Sequence, residues 1–175
     1  MTDTEFIEAF RAYNENIFNF LCLRVHSREI AQDLTQEVYI KLWDNKAKYD
    51  PNKASIRTWL FKIARNHLID HFRKNKNSFA NISTESELLE EIYDDETTEK
   101  DLDIQYVLKK LYELEPEEQN LIILKYIEDL SNAEIAEIVD KNVVATKVAI
   151  HRAMKKLKRI INMSQSENEK ILKYK

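Results

Sequence analysis

The sequence predicts an all-α protein made of two small helical domains joined by an acidic linker. The chain contains no glycine and only two prolines, and these are the residues that most strongly interrupt helices. Apolar side chains recur at helical spacing along nearly all of its 175 residues. The charges are segregated, so that a formal net charge of -4 hides two basic blocks around an acidic middle.

Three helices with short connections are predicted for the first unit, residues 3–77. They span residues 5–25, 27–43 and 56–75. The last two are joined by the segment DNKAKYDPNKAS, whose proline and asparagines favour a loop. The single cysteine, Cys22, falls inside the first helix and is interpreted as a small core residue.

An acidic segment, residues 78–104, separates the two units. It lacks a strong apolar stripe and is predicted to be a linker with one helical turn at 88–93. Helical periodicity resumes in the second unit, residues 105–162. Pro116 is predicted to begin a helix, because proline is favoured at the first helical position and acids follow it. The remaining residues, 163–175, are predicted to form a polar, frayed tail.

The second unit contains the layout of a helix-turn-helix in the stretch LSNAEIAEIVDKNVVATKVAIHRAMKKLKRI. Ser131 and Glu134 are spaced as a capping box at the start of its first helix. The predicted turn consists of Asp140, Lys141 and Asn142, and asparagine is a good N-cap for the helix that follows.

The second helix of this motif has two distinct faces. Its inward arc consists of Thr146, Ile150, Ala153 and Leu157. The opposite arc carries the candidate DNA contacts, which are Val144, Lys147, Val148, His151, Arg152 and Lys155. Cations on an exposed helix suit the major groove and its phosphates. A basic helical hairpin that only packs is the alternative.

The two basic blocks indicate a polyanionic partner. Residues 46–76 hold nine lysines and arginines against two acids, and residues 141–159 hold seven against none. Between them, residues 85–140 carry nineteen acids and four lysines. Such segregation favours nucleic-acid binding at two places, with the acidic segment solvated or facing a cationic partner. Lysine-rich faces that merely keep the protein soluble are the alternative.

The first basic block combines the helix RTWLFKIARNHLIDHFRKNKN with the loop before it. The polar arc of this helix lies opposite its apolar stripe and consists of Thr58, Lys62, Arg65, Asn66 and Arg73. The loop adds cations, an aromatic ring and an amide, namely Lys46, Lys48, Tyr49, Asn52 and Lys53. This mixture suits unpaired bases, which stack on rings while their phosphates meet lysines and arginines. An ordinary amphipathic surface helix is the alternative.

His67 and His71 share one face of this helix in the segment HLIDH, which raises the question of a metal site. The zinc-binding motif H-E-x-x-H has its acid in the second position and needs a third ligand, and neither appears here. Both histidines fall on the apolar stripe. We therefore interpret them as buried structural histidines and expect no metal.

Composition excludes several function classes. Glycine-rich phosphate loops and dinucleotide fingerprints cannot be written without glycine. A nucleophile with a local base partner is also missing, so we expect neither an enzyme nor a cofactor. No run approaches the roughly 18 apolar residues of a membrane span, and MTDTEFIEAF lacks the pattern of a secretion signal. The expected location is the cytoplasm.

Four segments resemble motifs of the bacterial extracytoplasmic-function (ECF) sigma factors. They are DLTQEVYIKLW, ASIRTWLFKIARNHLIDHFRK, LEPEEQNLIILKYIEDLSNAEIAEI and IHRAMKKLKRI, in the family's order and spacing over residues 5–161. The resemblance implies sigma region two at 3–77 and sigma region four at 105–162. It also implies a non-catalytic subunit that binds core RNA polymerase, melts the minus-ten element with region two and reads the minus-thirty-five element with region four.

The resemblance further implies roles for individual residues. Asp33, Gln36 and Glu37 in DLTQE would contact the clamp helices of the beta-prime subunit. The loop at 45–55 and the helix after it would hold the opened non-template strand, with Lys62, Arg65 and Asn66 as contacts on the helix. The implied partners are core RNA polymerase through its beta-prime clamp helices and beta flap, promoter DNA and an anti-sigma factor, without membrane insertion.

The recognition helix departs from the family pattern. Relatives commonly show a glycine-containing turn followed by Gly-Thr-Val-Lys-Ser-Arg, whereas this chain has Asp140 in the turn and VATKVA on the helix. The threonine and arginine donors of the family pattern, which contact phosphate and guanine, are therefore missing. We predict a minus-thirty-five preference that relies more on thymine methyl groups meeting Val144 and Val148.

A stand-alone helix-turn-helix regulator that binds duplex DNA by itself is the alternative function. The first unit would then be an interaction domain. This alternative explains the DLTQE segment and the aromatic loop poorly, because neither is needed to bind duplex DNA.

Overall fold

The protein is helical throughout the part of the chain that the structure describes. This computed structural model describes residues 1–25, 27–74 and 99–172, and for 99–103 and 165–172 it describes the backbone only. Within these ranges the chain forms helices and no strand. The predicted all-α fold is confirmed. None of the helices described is both long enough and apolar enough to cross a lipid bilayer.

Three helices form the first bundle: α1 (Asp3–Val25), α2 (Arg28–Asp44) and α3 (Ile56–Lys74). Each packs against the other two. Ser27 caps α2 by accepting a hydrogen bond from the Ile30 amide at 3.3 Å. A short 3-10 turn, Lys46–Lys48, interrupts the loop before α3. The predicted helices therefore agree with the observed ones to within two residues at each end.

The core of this bundle is apolar and fully enclosed. Phe20 of α1 meets Phe61 of α3 edge to face, with ring centroids 5.6 Å apart. Cys22 is 2% exposed, which confirms its predicted place in the core. Other side chains with no exposed surface are Ile17, Leu21, Val25, Leu42, Leu60 and Leu68.

The second unit contains four helices, α4 (Glu99–Leu111), α5 (Pro116–Ile122), α6 (Asn132–Ile138) and α7 (Val143–Leu172). The last turn of α5 widens into a π-helical segment, Ile123–Ile127. Helix α7 packs against α4, α5 and α6, so it forms the spine of this unit.

The predicted helix starts in the second unit are confirmed. Pro116 occupies the first turn of α5. Ser131 and Glu134 form the expected capping box at α6, because the Glu134 amide donates to Ser131 Oγ at 3.2 Å and the Ser131 amide donates to Glu134 Oε2 at 2.9 Å. At α7 the Ala145 amide donates to Asn142 Oδ1 at 2.7 Å.

Two helices extend past the boundaries of the predicted segments. Helix α4 already begins at Glu99, inside the segment predicted to be linker. Helix α7 continues to Leu172, although residues 163–175 were expected to fray. Extending an existing helix avoids the cost of nucleation, so a polar segment of good helix formers continues it. The predicted helical turn at 88–93 lies outside the residues that the structure describes.

The two units lie against each other along α3 and α6. Thr58 of α3 is 2% exposed, and its hydroxyl lies 3.4 Å from Glu134 Oε1 of α6. The face of the first bundle that carries its basic helix is thus the face that meets the second unit.

Candidate nucleic-acid and partner interfaces

The first half of α7 presents an open, largely cationic face. All six candidate contacts are exposed, namely Val144, Lys147, Val148, His151, Arg152 and Lys155. The predicted inward arc is confirmed, since Thr146, Ile150, Ala153 and Leu157 are each at most 5% exposed. Val144, 74% exposed, stands furthest from the core. Packing on one side of α7 therefore leaves its opposite side available for a groove of DNA.

The turn before α7 reaches its geometry without glycine. Asp140 has a φ of 54°, in the left-handed region, which aspartate tolerates better than most residues. The Lys141 amide closes the turn by donating to the Ala136 carbonyl at 3.0 Å. Asp140 can therefore stand at a position where glycine is usual, and it adds a carboxylate there.

A cationic cleft continues from this face along α7. Its volume is about 760 Å³, and it is lined by Glu118, Arg152, Lys155, Lys156, Lys158, Arg159, Asn162 and Met163. Lys156 is neutralised by Glu118 at 2.7 Å. Lys158 and Arg159 were not among the six predicted contacts, and they extend the positive surface along α7.

The loop of the first unit forms a small cavity beside an aromatic stack. Tyr49 stacks on Trp59 with ring centroids 5.2 Å apart and an interplanar angle of 21°. The cavity measures about 190 Å³ and is lined by Lys48, Tyr49, Asp50, Lys53, Ala54, Trp59, Lys62 and Glu137. Asn52 is exposed, and Lys46 lies over the Trp43 ring at 3.4 Å. The structure thus brings most of the predicted loop residues together.

The polar arc of α3 is partly covered, contrary to what the helical pattern predicts, although Asn66 and Arg73 of this arc are exposed. Arg65 is 8% exposed, and its NH2 lies 3.0 Å from Glu117 Oε1. Lys62 Nζ lies 2.7 Å from Asp140 Oδ1 and 3.0 Å from Glu137 Oε1. Of the three contacts predicted on this helix, only Asn66 is exposed. The reason is tertiary, because acids of the second unit lie against Lys62 and Arg65.

The three residues predicted to bind the polymerase share the outer face of α2. Asp33, Gln36 and Glu37 are all exposed. Gln36 also borders a groove of about 370 Å³, whose lining is Phe10, Asn14, Phe18, Arg28, Gln32, Thr35, Gln36 and Tyr39. The exposed rim is polar and the floor is aromatic, which is the arrangement that protein interfaces favour.

Glu37 is held in place by a buried histidine. His67, 7% exposed, has Nε2 2.7 Å from Glu37 Oε2 and Nδ1 2.6 Å from Lys41 Nζ. Burial lowers the pKa of His67, and the nearby Lys41 lowers it further, whereas Glu37 opposes them. A neutral ring accepts from Lys41 at Nδ1, while its Nε2 lies beside the Glu37 carboxylate without an aligned hydrogen bond to it. His67 is buried as predicted, whereas His71, which was predicted to be buried with it, is only half-buried.

Arg24 is a functional residue that the sequence pattern did not reveal. It lies in the last turn of α1, is 4% exposed and stacks over Phe72 at 5.6 Å. Its Nε donates to Asn120 Oδ1 at 2.8 Å and its NH1 donates to the Gln119 side chain, both in α5. Burial lowers the pKa of Arg24 to about 10. The partners lie about a hundred positions away, so no local signal could identify this contact.

Glu128 is a second residue that joins the two units and that the sequence pattern did not reveal. Its side chain is 2% exposed and accepts from Asn16 Nδ2 at 2.9 Å. Arg57 donates to the Glu128 carbonyl and lies 3.9 Å from its carboxylate. Burial raises the pKa of Glu128, and the bonds from Asn16 and Arg57 oppose it. Glu128 thus joins the second unit to both α1 and α3.

Comparisons with protein families agree with this division into two units. The model of sigma-70 region 2 matches residues 9–78, and a model of sigma-70 region 4 matches residues 104–157.

Curated relatives match nearly the whole chain. RNA polymerase sigma factor YlaC of Bacillus subtilis (strain 168) is 32% identical over 165 residues, which cover 93% of this chain and 94% of YlaC. ECF RNA polymerase sigma factor SigW of the same organism is 32% identical over 168 residues, covering 88% of this chain and 87% of SigW. The chain therefore belongs to the sigma-70 family, in its extracytoplasmic-function group.

Solved structures share the fold. The sigma factor RpoE, in complex with the anti-sigma factor NepR from Bartonella quintana, matches with a TM-score of 0.70 at 20% identity, covering 90% of this chain and 97% of RpoE. CnrH, in complex with the cytosolic domain of CnrY, matches with a TM-score of 0.68 at 19% identity, covering 93% and 90%.

Proposed function

We propose that this protein is a promoter-recognition subunit, which binds core RNA polymerase and directs it to initiate transcription at particular promoters. The observation that carries the proposal is a region 2 match followed by a region 4 match in a single chain. The geometry is compatible with promoter recognition, since one unit presents a helix-turn-helix and the other presents a basic aromatic loop. Such a subunit works by binding and positioning, without a catalytic residue.

The domain assignment follows the helices. We assign residues 3–77 to region two and residues 105–162 to region four, with 163–175 as a polar C-terminal segment. Residues 78–104 connect them, and the last of these already belong to α4.

Region four would read the minus-thirty-five element with the exposed face of α7. Lys147, Arg152 and Lys155 would meet phosphates and base edges from a helix that the core holds on its other side. Val144 and Val148 would contact thymine methyl groups. His151 belongs to the same exposed face as these valines and the three cations. The exposure of all six side chains supports this assignment.

Region two would hold the opened minus-ten strand with its loop and with α3. The stacked Tyr49 and Trp59 offer an aromatic surface for an unpaired base. Lys48, Lys53 and Lys62 line the cavity beside this stack. The backbone of the strand would meet them together with the other assigned residues, namely Lys46, Asn52, Arg65 and Asn66.

Contacts with the polymerase would divide between the two regions. Asp33, Gln36 and Glu37 would bind the clamp helices of the beta-prime subunit, because an exposed acidic face suits a cationic partner. Region four would meet the beta flap. An anti-sigma factor is the expected inhibitor, as in the complexes of RpoE with NepR and of CnrH with CnrY. The protein would act in the bacterial cytoplasm, where polymerase and promoters are.

Run-off transcription from a pool of promoter sequences tests this function. Purified core RNA polymerase is assayed with and without the protein, and the transcripts are sequenced. We expect factor-dependent transcripts that start downstream of a shared two-part motif. Binding of duplex DNA without binding of core polymerase would instead favour a stand-alone helix-turn-helix regulator.

Charge reversal on α2 tests the polymerase contact. We expect Asp33→Lys to lower affinity for core polymerase by at least tenfold, because it places a cation against a cationic surface. Glu15→Lys on α1, also an exposed acid, is the matched control and should bind normally. Equal losses in the two variants, measured by fluorescence anisotropy, would contradict the assignment.

A further inference from the structure

The exposed arc of α7 stays cationic beyond the residues assigned to DNA. At about 100° per residue, Lys158, Arg159 and Asn162 fall on the same arc as Val144, and all three are exposed. They follow Val144 by about 21 to 27 Å along the helix axis. A recognition helix contacts base edges with its N-terminal residues, in a major groove about 8.5 Å deep. Lys158 and Arg159 therefore lie outside the groove that the recognition face would enter.

These two cations line the cleft of about 760 Å³ that is bounded by α7 and by Glu118 of α5. Cations dominate its lining and comprise Arg152, Lys155, Lys156, Lys158 and Arg159. Of these five, only Lys156 forms an ion pair with a carboxylate of the described chain. The cleft thus has an excess of positive charge that the described residues do not neutralise.

One carboxylate already lies in this cleft. Glu118 Oε2 accepts from Lys156 Nζ at 2.7 Å and from the Glu115 amide at 3.0 Å. Burial raises the pKa of Glu118, but the bonds from Lys156 and Glu115 outweigh burial and hold the pKa below its ordinary value. The carboxylate is therefore ionised, and its place beside Lys156 shows that the cleft accommodates an acidic side chain.

The spacing of the cations suits a partner helix. Arg152, Lys155 and Arg159 follow one another at steps of three and four residues, which is about one helical turn each. A helix that lies along α7 presents acids at the same repeat. Met163, 58% exposed, and the aliphatic stems of the lysines and arginines add apolar surface. An acidic amphipathic helix matches both the charge and the apolar part of this lining.

Two other occupants fit this cleft less well. Small phosphate ligands are held by donors that converge on one point, whereas Arg152 and Arg159 are about 10 Å apart along α7. A DNA duplex is too wide to enter a cleft of about 760 Å³, which is the size of a site for a single ligand or segment. The charge and the shape together favour a peptide segment.

We propose that this cleft docks an acidic amphipathic helix of a partner protein, with Lys158 and Arg159 serving this partner and not the minus-thirty-five DNA. The proposal goes beyond promoter recognition, because the docking requires neither polymerase nor a promoter. Arg152 and Lys155 border the cleft and also belong to the face assigned to DNA. Lys158 and Arg159 are therefore the residues that distinguish the two surfaces.

Two synthetic peptides of equal composition test the docking on the full chain. Each has about 16 residues of glutamate, leucine and alanine, which is long enough to form a helix. In the test peptide the glutamates repeat every three or four residues beside a stripe of leucines. In the control peptide the same residues are distributed around the helix. Fluorescence anisotropy measures both affinities, and we expect the test peptide to bind at least tenfold more tightly.

A double variant with a matched control locates the site. We expect Lys158→Glu with Arg159→Glu to weaken binding of the test peptide by at least tenfold, because it places two acids against the peptide's acids. The control is Arg11→Glu with Lys109→Glu, which changes the net charge equally at two exposed positions outside the cleft. The control should bind within twofold of wild type. Circular dichroism should show wild-type helical content in both.

Glu118→Gln gives a test in the opposite direction, which misfolding cannot imitate. Glutamine keeps an acceptor for the Glu115 amide but removes the charge that neutralises Lys156. We expect the test peptide to bind roughly threefold more tightly to this variant, as release of one partly exposed ion pair allows.

Three results would overturn the proposal. Equal affinity of the two peptides would reduce the binding to attraction between net charges. Equal losses in the two double variants would place the peptide site elsewhere. If Lys158→Glu with Arg159→Glu weakened binding to duplex DNA carrying the minus-thirty-five motif as much as binding to the peptide, these cations would belong to the DNA surface. Failure of the protein to support transcription with core polymerase would reject the proposed function, and the peptide affinities would still report on the cleft.

Discussion

The pair of Lys41 and His67 shows how single side chains set charge in this protein. His67 lies under α2 with its two ring nitrogens facing a lysine and the carboxylate of Glu37. A protonated ring would place two cations 2.6 Å apart in a buried site. The ring is therefore neutral, and it lies beside the Glu37 carboxylate at the surface assigned to the polymerase.

This environment predicts a pH dependence of folding. Burial and Lys41 lower the pKa of His67 below its ordinary value of 6.5, so the unfolded chain binds a proton first as the pH falls. With respect to His67, the folded state is therefore most stable above about pH 6.5, and its free energy of unfolding falls progressively below that pH. We expect His67→Gln, which keeps a donor and an acceptor, to lose less stability than wild type between pH 7.5 and pH 5. Urea unfolding at both pH values measures the difference.

His151→Gln is the control for this measurement, because His151 is exposed on α7. It should follow the wild-type pH dependence. If His67→Gln and wild type lost equal stability on acidification, the proposed neutral state of His67 would be wrong.

At the scale of the helix, the capping box of α6 has a measurable effect. Ser131 accepts from the Glu134 amide at 3.2 Å, which satisfies one of the free amides of a helix only seven residues long. We expect Ser131→Ala to lower the free energy of unfolding by about 1 kcal/mol. Thermal or urea denaturation measures this loss.

Ser164→Ala is the matched substitution inside α7, where Ser164 Oγ bonds the Ile160 carbonyl at 3.1 Å. Alanine is a better helix former than serine in this position, so this variant should change stability by less than about 0.5 kcal/mol. A loss as large as that of Ser131→Ala would show that the cap is not the cause.

The recognition helix allows a test of thymine-methyl contacts. Val144 and Val148 are both exposed on the face assigned to the minus-thirty-five element. Replacing a contacted thymine by deoxyuracil removes one methyl group, and burial of such a group contributes about 0.8 kcal/mol, or roughly fourfold in affinity. We expect the change from thymine to deoxyuracil to weaken DNA binding by about fourfold when the holoenzyme contains wild-type factor. We expect no weakening when the factor carries both Val144→Ala and Val148→Ala.

Arg152→Ala provides the contrast for this test. An arginine that meets phosphates should weaken binding to thymine and deoxyuracil probes alike and reduce the salt dependence of binding. A thymine preference that survives in the double valine variant would contradict the methyl contact.

At the scale of the whole molecule, Arg24 links the two units through side chains of α5. Its Nε donates to the neutral amide of Asn120 at 2.8 Å. A carboxylate at this place would add the attraction of opposite charges to the bond, which strengthens it in a buried site. We expect Asn120→Asp to raise the salt concentration at which the protein expands in small-angle scattering, and Asn120→Ala to lower it.

The two Asn120 variants form their own control, because they change one side chain in opposite directions. Circular dichroism should show that both keep the helical content of wild type. Expansion at equal salt in both variants would mean that Arg24 contributes nothing to the association.

Much of the local structure follows from the sequence. Helix starts at Pro116, Ser131 and Asn142 are confirmed because caps act within one turn of the chain. The inward and outward arcs of α7 are confirmed for the same reason, since helical periodicity places residues on faces. The end of α7 and the start of α4 were not predicted, because polar segments carry no periodic signal.

Some residues of the candidate sites also lie where the sequence pattern places them, and others do not. The exposed residues of α7 and the DLTQE face of α2 lie where the pattern places them. Arg65 does not lie at the surface as the pattern predicts, because its burial depends on Glu117, which is 52 positions away. No property of α3 by itself distinguishes an arc that faces solvent from one that faces a second domain.

The sequence by itself determined the helical class, the two units, the sigma motifs and the charged blocks, because each of these depends on residues within a few turns of one another. Only the tertiary structure decided which charges meet. Lys62 meets Glu137 and Asp140, and Arg24 meets Asn120, through contacts between residues 75 to 96 positions apart. Side chains so distant in the chain are brought together by packing of the two units, and local pattern carries no record of that packing.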